Sequence, residues 1–161
     1  MREEDCIALL RRAGCSEDVI AHCRAVRDLA LTYAADPLVD RDLIEAGALL
    51  HDIGRGVTHD LCHAEAGGAI CRSFGLGEAI AAIVERHIGA GLTADECSLQ
   101  NLAPRDCVPQ TIEEKIVAHA DNLVKGTRVI TMEERMGYVI ALPRRQRRRI
   151  RRLGLDMELF R

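Results

Sequence analysis

The tetrapeptide His51-Asp52-Ile53-Gly54 carries the strongest structural signal in this 161-residue chain. It places an imidazole beside a carboxylate, and both groups are common ligands of metal ions. Gly54 is typical of a helix C-terminus, which puts the pair at the end of a predicted helix. Adjacent His and Asp residues also arise often by chance, so a metal site requires further ligands elsewhere in the chain.

Three further histidines lie on the apolar faces of predicted helices, where a polar ring needs a partner. A single core histidine is most simply explained by a hydrogen bond to a backbone carbonyl or a hydroxyl. Three such residues on three separate helices favour a shared role instead. They are His22, beside Cys23 and Val26; His63, beside Gly67 and Ile70; and His87, beside Ile83 and Val84.

Asp121 lies with Val117 and Val124 on an otherwise apolar segment. Burial of an unpaired carboxylate costs several kcal/mol unless a cation neutralises it. One or two metal ions shared with the histidines would account for all these buried polar groups together. Because the ligands combine imidazole and carboxylate without paired thiolates, the expected cofactor is a divalent transition metal, namely Mn, Fe, Co, Ni or Zn.

An isolated His, then His-Asp, then a distant Asp resembles the HD superfamily of metal-dependent phosphohydrolases. The resemblance covers about residues 18–128, and it implies a helical bundle around the metal. The implied metal ligands are His22, His51, Asp52 and Asp121. His63 and His87 fall where binuclear members place histidines for a second ion. Alternatively, these two histidines line the pocket and hydrogen-bond the substrate phosphate, with one metal bound.

Apolar residues recur at three- and four-residue spacings along the chain, and no long alternating run appears. We therefore predict an all-α fold. The resemblance implies that this fold is a single HD-domain helical bundle over residues 1–161, with an Arg-rich helical extension at 143–161. The segment Gly89–Pro109 is predicted to be a functional loop or lid with a turn at most. Helices are predicted at Glu3–Arg12, from Ser16 to Asp36-Pro37, from Asp40 to His51-Asp52, at His63–Phe74, at Glu78–Ile88, from Thr111 to about Lys125, at Met132–Ile140 and at Pro143–Leu153.

Composition narrows the class of protein. An apolar content of 48% in 161 residues fits one domain with a substantial core. The seven cysteines form no CxxC pair and follow no secretory segment, so we expect reduced thiols and a cytoplasmic protein. The longest aliphatic stretch, Ala79–Val84, is far shorter than the ~20 residues of a membrane span, so no membrane association is expected.

Charge is distributed unevenly along the chain. Residues 143–161 contain eight Arg and two acidic residues, Asp156 and Glu158, so their net charge is about +6. Because the net charge of the whole chain is −3, residues 1–142 carry about −9. The Arg run is a solvated face, a contact with the acidic body in a homo-oligomer, or a site for nucleic acid or polyphosphate. Two Tyr, two Phe and no Trp argue against a stacking surface for single-stranded nucleic acid.

A metal held by these groups can activate a bound water for attack on a phosphoryl group. Asp52 would bind the metal and help to orient that water, and Arg55 is a further catalytic candidate. Lys125 and Arg128 follow Asp121 at four and seven positions, which is one face of a helix, so both could bind substrate phosphates. Alternatively, Lys125 forms a salt bridge to Asp121, and Gly126 ends the helix.

The resulting prediction is a metal-dependent phosphohydrolase acting on a nucleotide or another small phosphate ester or anhydride. The chain is similar to stand-alone HD nucleotidases, but departs from them in its Gly89–Pro109 loop and its Arg-rich end. Three alternatives remain: a regulatory module that binds nucleotide or RNA without turnover, a binuclear-iron oxygenase, and a purely structural helical protein. His59 and His119 are not predicted ligands, since His119 lies about 200° around the helix from Asp121.

Overall fold

The computed structural model describes all 161 residues, and it confirms the all-α prediction. Nine helices are joined by short connections, one 3-10 helix at Ile53–Gly56 and one small hairpin. The helices are α1 (Glu3–Arg12), α2 (Glu17–Leu31), α3 (Arg41–Leu50), α4 (His63–Ser73), α5 (Glu78–Arg86), α6 (Ala94–Leu99), α7 (Ile112–Asn122), α8 (Met132–Tyr138) and α9 (Arg144–Phe160). The hairpin pairs β1 (Val124–Lys125) with β2 (Arg128–Val129) in antiparallel register.

Side-chain caps fix where the long helices begin. Ser16 accepts a hydrogen bond from the Val19 amide, and Asp40 accepts one from the Leu43 amide (2.9 Å), as their positions predict. Thr111 likewise caps α7. These caps set the rotation of each helix and therefore the face that it turns to the core.

The core consists of two buried clusters that share helix α3. Ile44 and Ala48 of α3 belong to the larger cluster, which also holds residues of α2, α7 and α9. Leu49 and Leu50 of α3 belong to the other cluster, together with residues of α1, α2 and α5. Because α3 is packed on both sides, the two residues that follow it, His51 and Asp52, lie in the interior of the protein.

The seven cysteines are all free, and most of them pack in the core rather than at the surface. Five are buried, and Cys62 and Cys107 are partly exposed. No helix is both long enough and apolar enough to cross a membrane.

The predicted continuation of α7 to Lys125 is wrong. The helix ends at Asn122, and the chain then turns through Gly126, whose φ of +63° is a left-handed conformation that glycine adopts readily. Lys125 and Arg128 therefore lie on opposite strands of the hairpin and not on a helical face shared with Asp121.

The segment Gly89–Pro109 has more structure than a loop with one turn. It contains α6, which Thr93 and Glu96 cap reciprocally, and an isolated bridge between Leu92 and Cys107. Arg149 of α9 donates to Glu96 (3.2 Å) and to the Gly91 carbonyl (3.0 Å). The Arg-rich helix thus holds this segment against the body of the protein.

Candidate metal centre

The six residues predicted as metal ligands converge at one point, although they come from five segments of the chain. Asp52 Oδ1 lies 3.1 Å from His63 Nε2 and 3.5 Å from His87 Nε2. Asp121 Oδ1 lies 3.0 Å from His22 Nε2 and 3.5 Å from His51 Nε2. The six side chains therefore form two carboxylate-imidazole groups that touch each other.

Helix ends position most of these side chains. His51 and His87 are the C-terminal caps of α3 and α5, and His63 is the first residue of α4. Gly54 permits the close approach of the 3-10 helix to α4, because a Cβ at this position would lie 1.8 Å from the His63 carbonyl oxygen. The glycine of the tetrapeptide thus serves close packing as well as helix termination.

Every imidazole in the group is held through its Nδ1 by a main-chain carbonyl. A carbonyl oxygen only accepts hydrogen bonds, so each Nδ1 carries the proton and each Nε2 of the neutral ring keeps its lone pair. This is the usual arrangement of a histidine metal ligand. The pairs are His22 with Gly126 (2.7 Å), His51 with Ala48 (2.8 Å), His63 with Asp60 (2.7 Å) and His87 with Val84 (2.7 Å).

These lone pairs face groups that would repel them in the absence of a cation. The Nε2 atoms of His63 and His87 lie 3.2 Å apart, and Nε2 of His51 is buried without a hydrogen-bond partner. Each Nε2 needs either a second proton or a metal ion beside it. Two nitrogens bound to one ion at about 2.1 Å would be separated by roughly 3 Å, so the observed spacing suits shared coordination.

Five of the six candidate ligands, all except His63, fall into two overlapping groups, in each of which all ligand atoms lie within 4.8 Å of one another. One group is His22, His51 and Asp121, and the other is His51, Asp52 and His87. The residues present therefore fit a metal ion at either group, with His51 between them.

The two buried carboxylates of the group require positive charge beside them. Burial acts to raise the pKa of Asp52, but the imidazoles of His51, His63 and His87 hold that pKa well below its ordinary value. Asp121 is affected in the same way by His22 and His51. Burial lowers the pKa of His87. The carboxylates are thus kept ionised and His87 is kept neutral, which are the forms that bind a metal. Burial acts to lower the pKa of His51, but Cys23 and the two carboxylates raise it well above its ordinary value, so without a metal this ring carries the second proton that a bound cation would replace.

The predicted catalytic residue Arg55 contacts this group directly. Its Nε donates to Asp52 Oδ1 (3.2 Å), and its Nη1 donates to the main-chain carbonyl of His59 (2.8 Å). Only the backbone of His59 takes part in this contact, and its side chain is exposed. Arg55 is thus in place to orient the Asp52 carboxylate.

The two predicted phosphate-binding residues have other partners. Lys125 Nζ lies 3.4 Å from the centre of the Tyr138 ring, and Arg128 pairs with Glu134 at the surface (3.1 Å). Neither forms an ion pair with Asp121 or Asp52. The helical spacing on which their assignment relied is absent, because the hairpin replaces the helix.

His119 lies apart from the metal ligands, as its angular position on α7 predicts. It is buried, and its Nε2 lies 3.2 Å from the Tyr33 hydroxyl, which donates to Glu158. Burial lowers the pKa of His119 to about 4. The residue is therefore a neutral core imidazole.

Sequence reasoning missed Arg135, which lies near the site. Its Nε donates to Asn122 Oδ1 (3.0 Å), and Asn122 follows Asp121 directly. The Asn122 amide donates in turn to the Gly89 carbonyl (2.6 Å), two residues beyond His87. A polar Asn beside Asp121 on an apolar helix was the available signal, but its partner is 13 residues away on another helix.

Comparisons with known proteins identify the domain. A family model described as HD domain matches residues 19–126. The uncharacterized protein MJ0778 of Methanocaldococcus jannaschii is 44% identical over 139 residues, which are 83% of this chain and 82% of that protein.

Other relatives are longer than this chain. The tRNA (cytidine(56)-2'-O)-methyltransferase of Picrophilus torridus is 44% identical over 134 residues, which are 83% of this chain but 39% of the relative. Ribonuclease Y of Acidothermus cellulolyticus is 28% identical over 135 residues, or 24% of its length. The chain thus spans less than half the length of these relatives.

Among solved structures, the HD domain of the Listeria monocytogenes phosphodiesterase PgpH, in complex with cyclic-di-AMP, has a TM-score of 0.60 to this chain. The match covers 92% of this chain and 94% of that one at 16% sequence identity. The two chains therefore share a fold.

Proposed function

The chain belongs to the HD-domain family, and on that premise we propose that it is a metal-dependent phosphohydrolase that acts on a nucleotide or another small phosphate ester or anhydride. The observation that carries the proposal is the set of four Nδ1-anchored imidazoles whose Nε2 atoms face Asp52 and Asp121. Such a set binds divalent transition metals.

In this proposal His22, His51, Asp52 and Asp121 would hold one ion. His63 and His87 would either complete a second site with Asp52 or donate to the substrate phosphate. A bound metal ion supplies an activated water and polarises a phosphoryl oxygen.

The protein's own residues would orient the attacking water. Asp52 stays ionised beside the imidazoles, so it can accept a hydrogen bond from a water molecule next to it and orient that water. Arg55 fixes the direction of the carboxylate through Oδ1. The buried walls around His51 and His87 exclude bulk water and so strengthen these interactions.

The substrate class is inferred from the relatives. The PgpH domain with the same fold was solved with cyclic-di-AMP, a nucleotide with phosphodiester bonds. This supports a nucleotide substrate for the present chain, with hydrolysis at a phosphate ester or anhydride bond.

A second candidate is an RNA-binding HD module. Ribonuclease Y and the tRNA methyltransferase, both named for RNA chemistry, contain a region similar to this chain. Several arginines of α9 are exposed and pair with no carboxylate: Arg144, Arg145, Arg148 and Arg151. RNA affinity that falls steeply with salt, without any turnover, would favour this candidate.

Product analysis tests the proposal. Nucleotides, dinucleoside polyphosphates, cyclic dinucleotides and short RNA would be incubated with Mn, Fe(II), Co, Ni or Zn, and the products separated by chromatography. We expect metal-dependent products. The rate of product formation should fall by ~100-fold or more in Asp52→Ala, because loss of a metal ligand costs more activity than loss of a residue that only hydrogen-bonds to a ligand. His59→Ala, which removes an exposed imidazole near the site, should retain activity.

Two outcomes contradict hydrolysis. If the protein binds metal tightly but converts none of these compounds, the phosphohydrolase proposal fails. If two irons bind and oxygen is consumed, the oxygenase alternative replaces it.

A further inference from the structure

A cavity of about 400 Å³ lies between the segment that follows α5 and the helices α8 and α9. Leu61 and Ile88 contribute to its wall; Ile88 follows His87 directly, and Leu61 lies two residues before His63. Val139 and Ile150 contribute to the opposite wall. This volume lies within the usual range for small-molecule pockets, roughly 300 to 1,000 Å³.

Arg135 lines this cavity and has unused hydrogen-bonding capacity. Its Nε is held by Asn122, but the arginine takes part in none of the ion pairs of the molecule, although it is half-buried. Burial lowers the pKa of Arg135, whereas the charge of Asp121 raises it. The contact with Asn122, which follows Asp121 directly, anchors the guanidinium near the candidate metal centre. An anchored guanidinium with free Nη groups is well suited to bind a phosphate.

Gln146 lines the same cavity from α9. Its side chain is buried, with 8% of the residue exposed, and its amide forms no hydrogen bond with the protein. Its amide atoms are not fully buried, so they stay accessible from the cavity and are free to pair with a ligand there. A carboxamide both donates and accepts, which matches the edge of a nucleobase.

We propose that this cavity is the nucleoside subsite of the metal centre, in which Gln146 pairs with the edge of the base and Arg135 binds a phosphate of the same nucleotide. The inference rests on the proposed function, since it assigns a substrate subsite to that centre. The apolar walls cover the faces of the base, and Asn122 links the phosphate-binding arginine to the segment after His87.

Steady-state kinetics on nucleotides with different bases test this assignment. Gln146→Leu should change the ratio of kcat/KM between bases by about 10-fold or more. The same variant should reduce the hydrolysis of a p-nitrophenyl phosphate ester, which has no base edge to pair with Gln146, much less than that of the preferred nucleotide. Gln146→Glu keeps the shape but removes the NH₂ donors, so it should alter base preference even if the Leu variant folds poorly.

Arg135→Gln should raise KM for nucleotides by about 10-fold or more, with metal content unchanged, and Arg135→Lys should recover part of that loss. Gln110→Leu and Arg41→Gln, at exposed positions outside the cavity, are the matched controls. Two results would overturn the subsite. One is an equal loss of kcat/KM for the nucleotides and for the p-nitrophenyl ester in the Gln146 variants, and the other is unchanged kinetics in all the variants.

The subsite and the proposed function can fail separately. If no nucleotide is hydrolysed, a fluorescent N-methylanthraniloyl nucleotide is titrated into the metal-loaded protein and its variants. Binding that weakens in Gln146→Leu and Arg135→Gln but not in the controls supports the subsite without catalysis. Absence of binding, or equal binding in all variants, contradicts it.

Discussion

A histidine that binds a metal must direct the lone pair of one ring nitrogen at the ion, and in this protein a main-chain carbonyl bound to Nδ1 orients each ring. For His51, His63 and His87 the anchoring carbonyl belongs to the residue three positions earlier, at a helix end. For His22 it belongs to Gly126, in the turn of the hairpin. Three ligands are therefore oriented by local structure, and the fourth depends on a contact between distant segments.

His22 and His119 should respond oppositely to mutation, although both are histidines in helices of the core. His22→Ala should lower metal affinity by ~100-fold or more, because its Nε2 faces Asp121. His119→Ala should leave metal content unchanged and cost roughly 2 to 4 kcal/mol of stability, because it opens a cavity and deprives Tyr33 of a partner.

Elemental analysis of the purified variants and urea denaturation would measure the two effects. Loss of metal in the His119 variant would show that the angular separation on α7 does not keep this ring out of the site.

At the scale of the elements, the fit between the 3-10 helix and α4 controls the site. Gly54→Ala would place a Cβ against the backbone of His63 and 2.7 Å from the Gly67 nitrogen. Backbone atoms cannot move aside cheaply, so we expect a loss of about 3 kcal/mol or more in the free energy of unfolding, together with weaker metal binding.

Gly137→Ala in α8 is the matched control for this substitution, because its Cβ would meet no atom within 4 Å. It should be neutral or stabilising by up to about 1 kcal/mol. Chemical denaturation of both variants gives the comparison, and similar stabilities would contradict the packing argument.

Local sequence patterns predicted most elements but not the ends of α2, α7 and α9: α2 ends at Leu31 rather than at Asp36-Pro37, and α9 continues past Leu153 to Phe160. Capping residues such as Ser16 and Asp40 fixed helix starts, since a cap acts within three residues. The hairpin was missed because Val124 and Val129 flank too few residues to form an alternating pattern, although Gly126-Thr127 is a plausible hairpin turn.

At the scale of the whole molecule, burial explains why the six candidate ligands could be selected from the sequence. A polar residue on the apolar face of a helix can be recognised from the local sequence. When several such residues occur, a single bound cation can neutralise all of them. Arg135 and Gln146 gave no comparable signal, because both lie in helices with many charged residues. Their relevance arises from tertiary packing around one cavity, which periodicity does not encode.

The candidate ligands join segments from α2 to α7, so metal binding should stabilise the entire fold. Adding metal at 100 times its Kd should raise the free energy of unfolding by about 2.7 kcal/mol, because the metal binds the folded state. Thermal denaturation with and without a chelator measures this shift. In Asp121→Asn the metal-induced shift should be much smaller, and an equal shift in that variant would place the metal elsewhere.

The distribution of cysteines gives the molecule a built-in reporter of its own unfolding. Cys6, Cys23 and Cys71 are fully enclosed by the core, whereas Cys62 and Cys107 are partly open to solvent. Burial raises the pKa of Cys6 and Cys71 to about 11, which suppresses the reactive thiolate as well as limiting access. Alkylation of the enclosed thiols therefore requires the core to open, and its rate follows that opening without any engineered label.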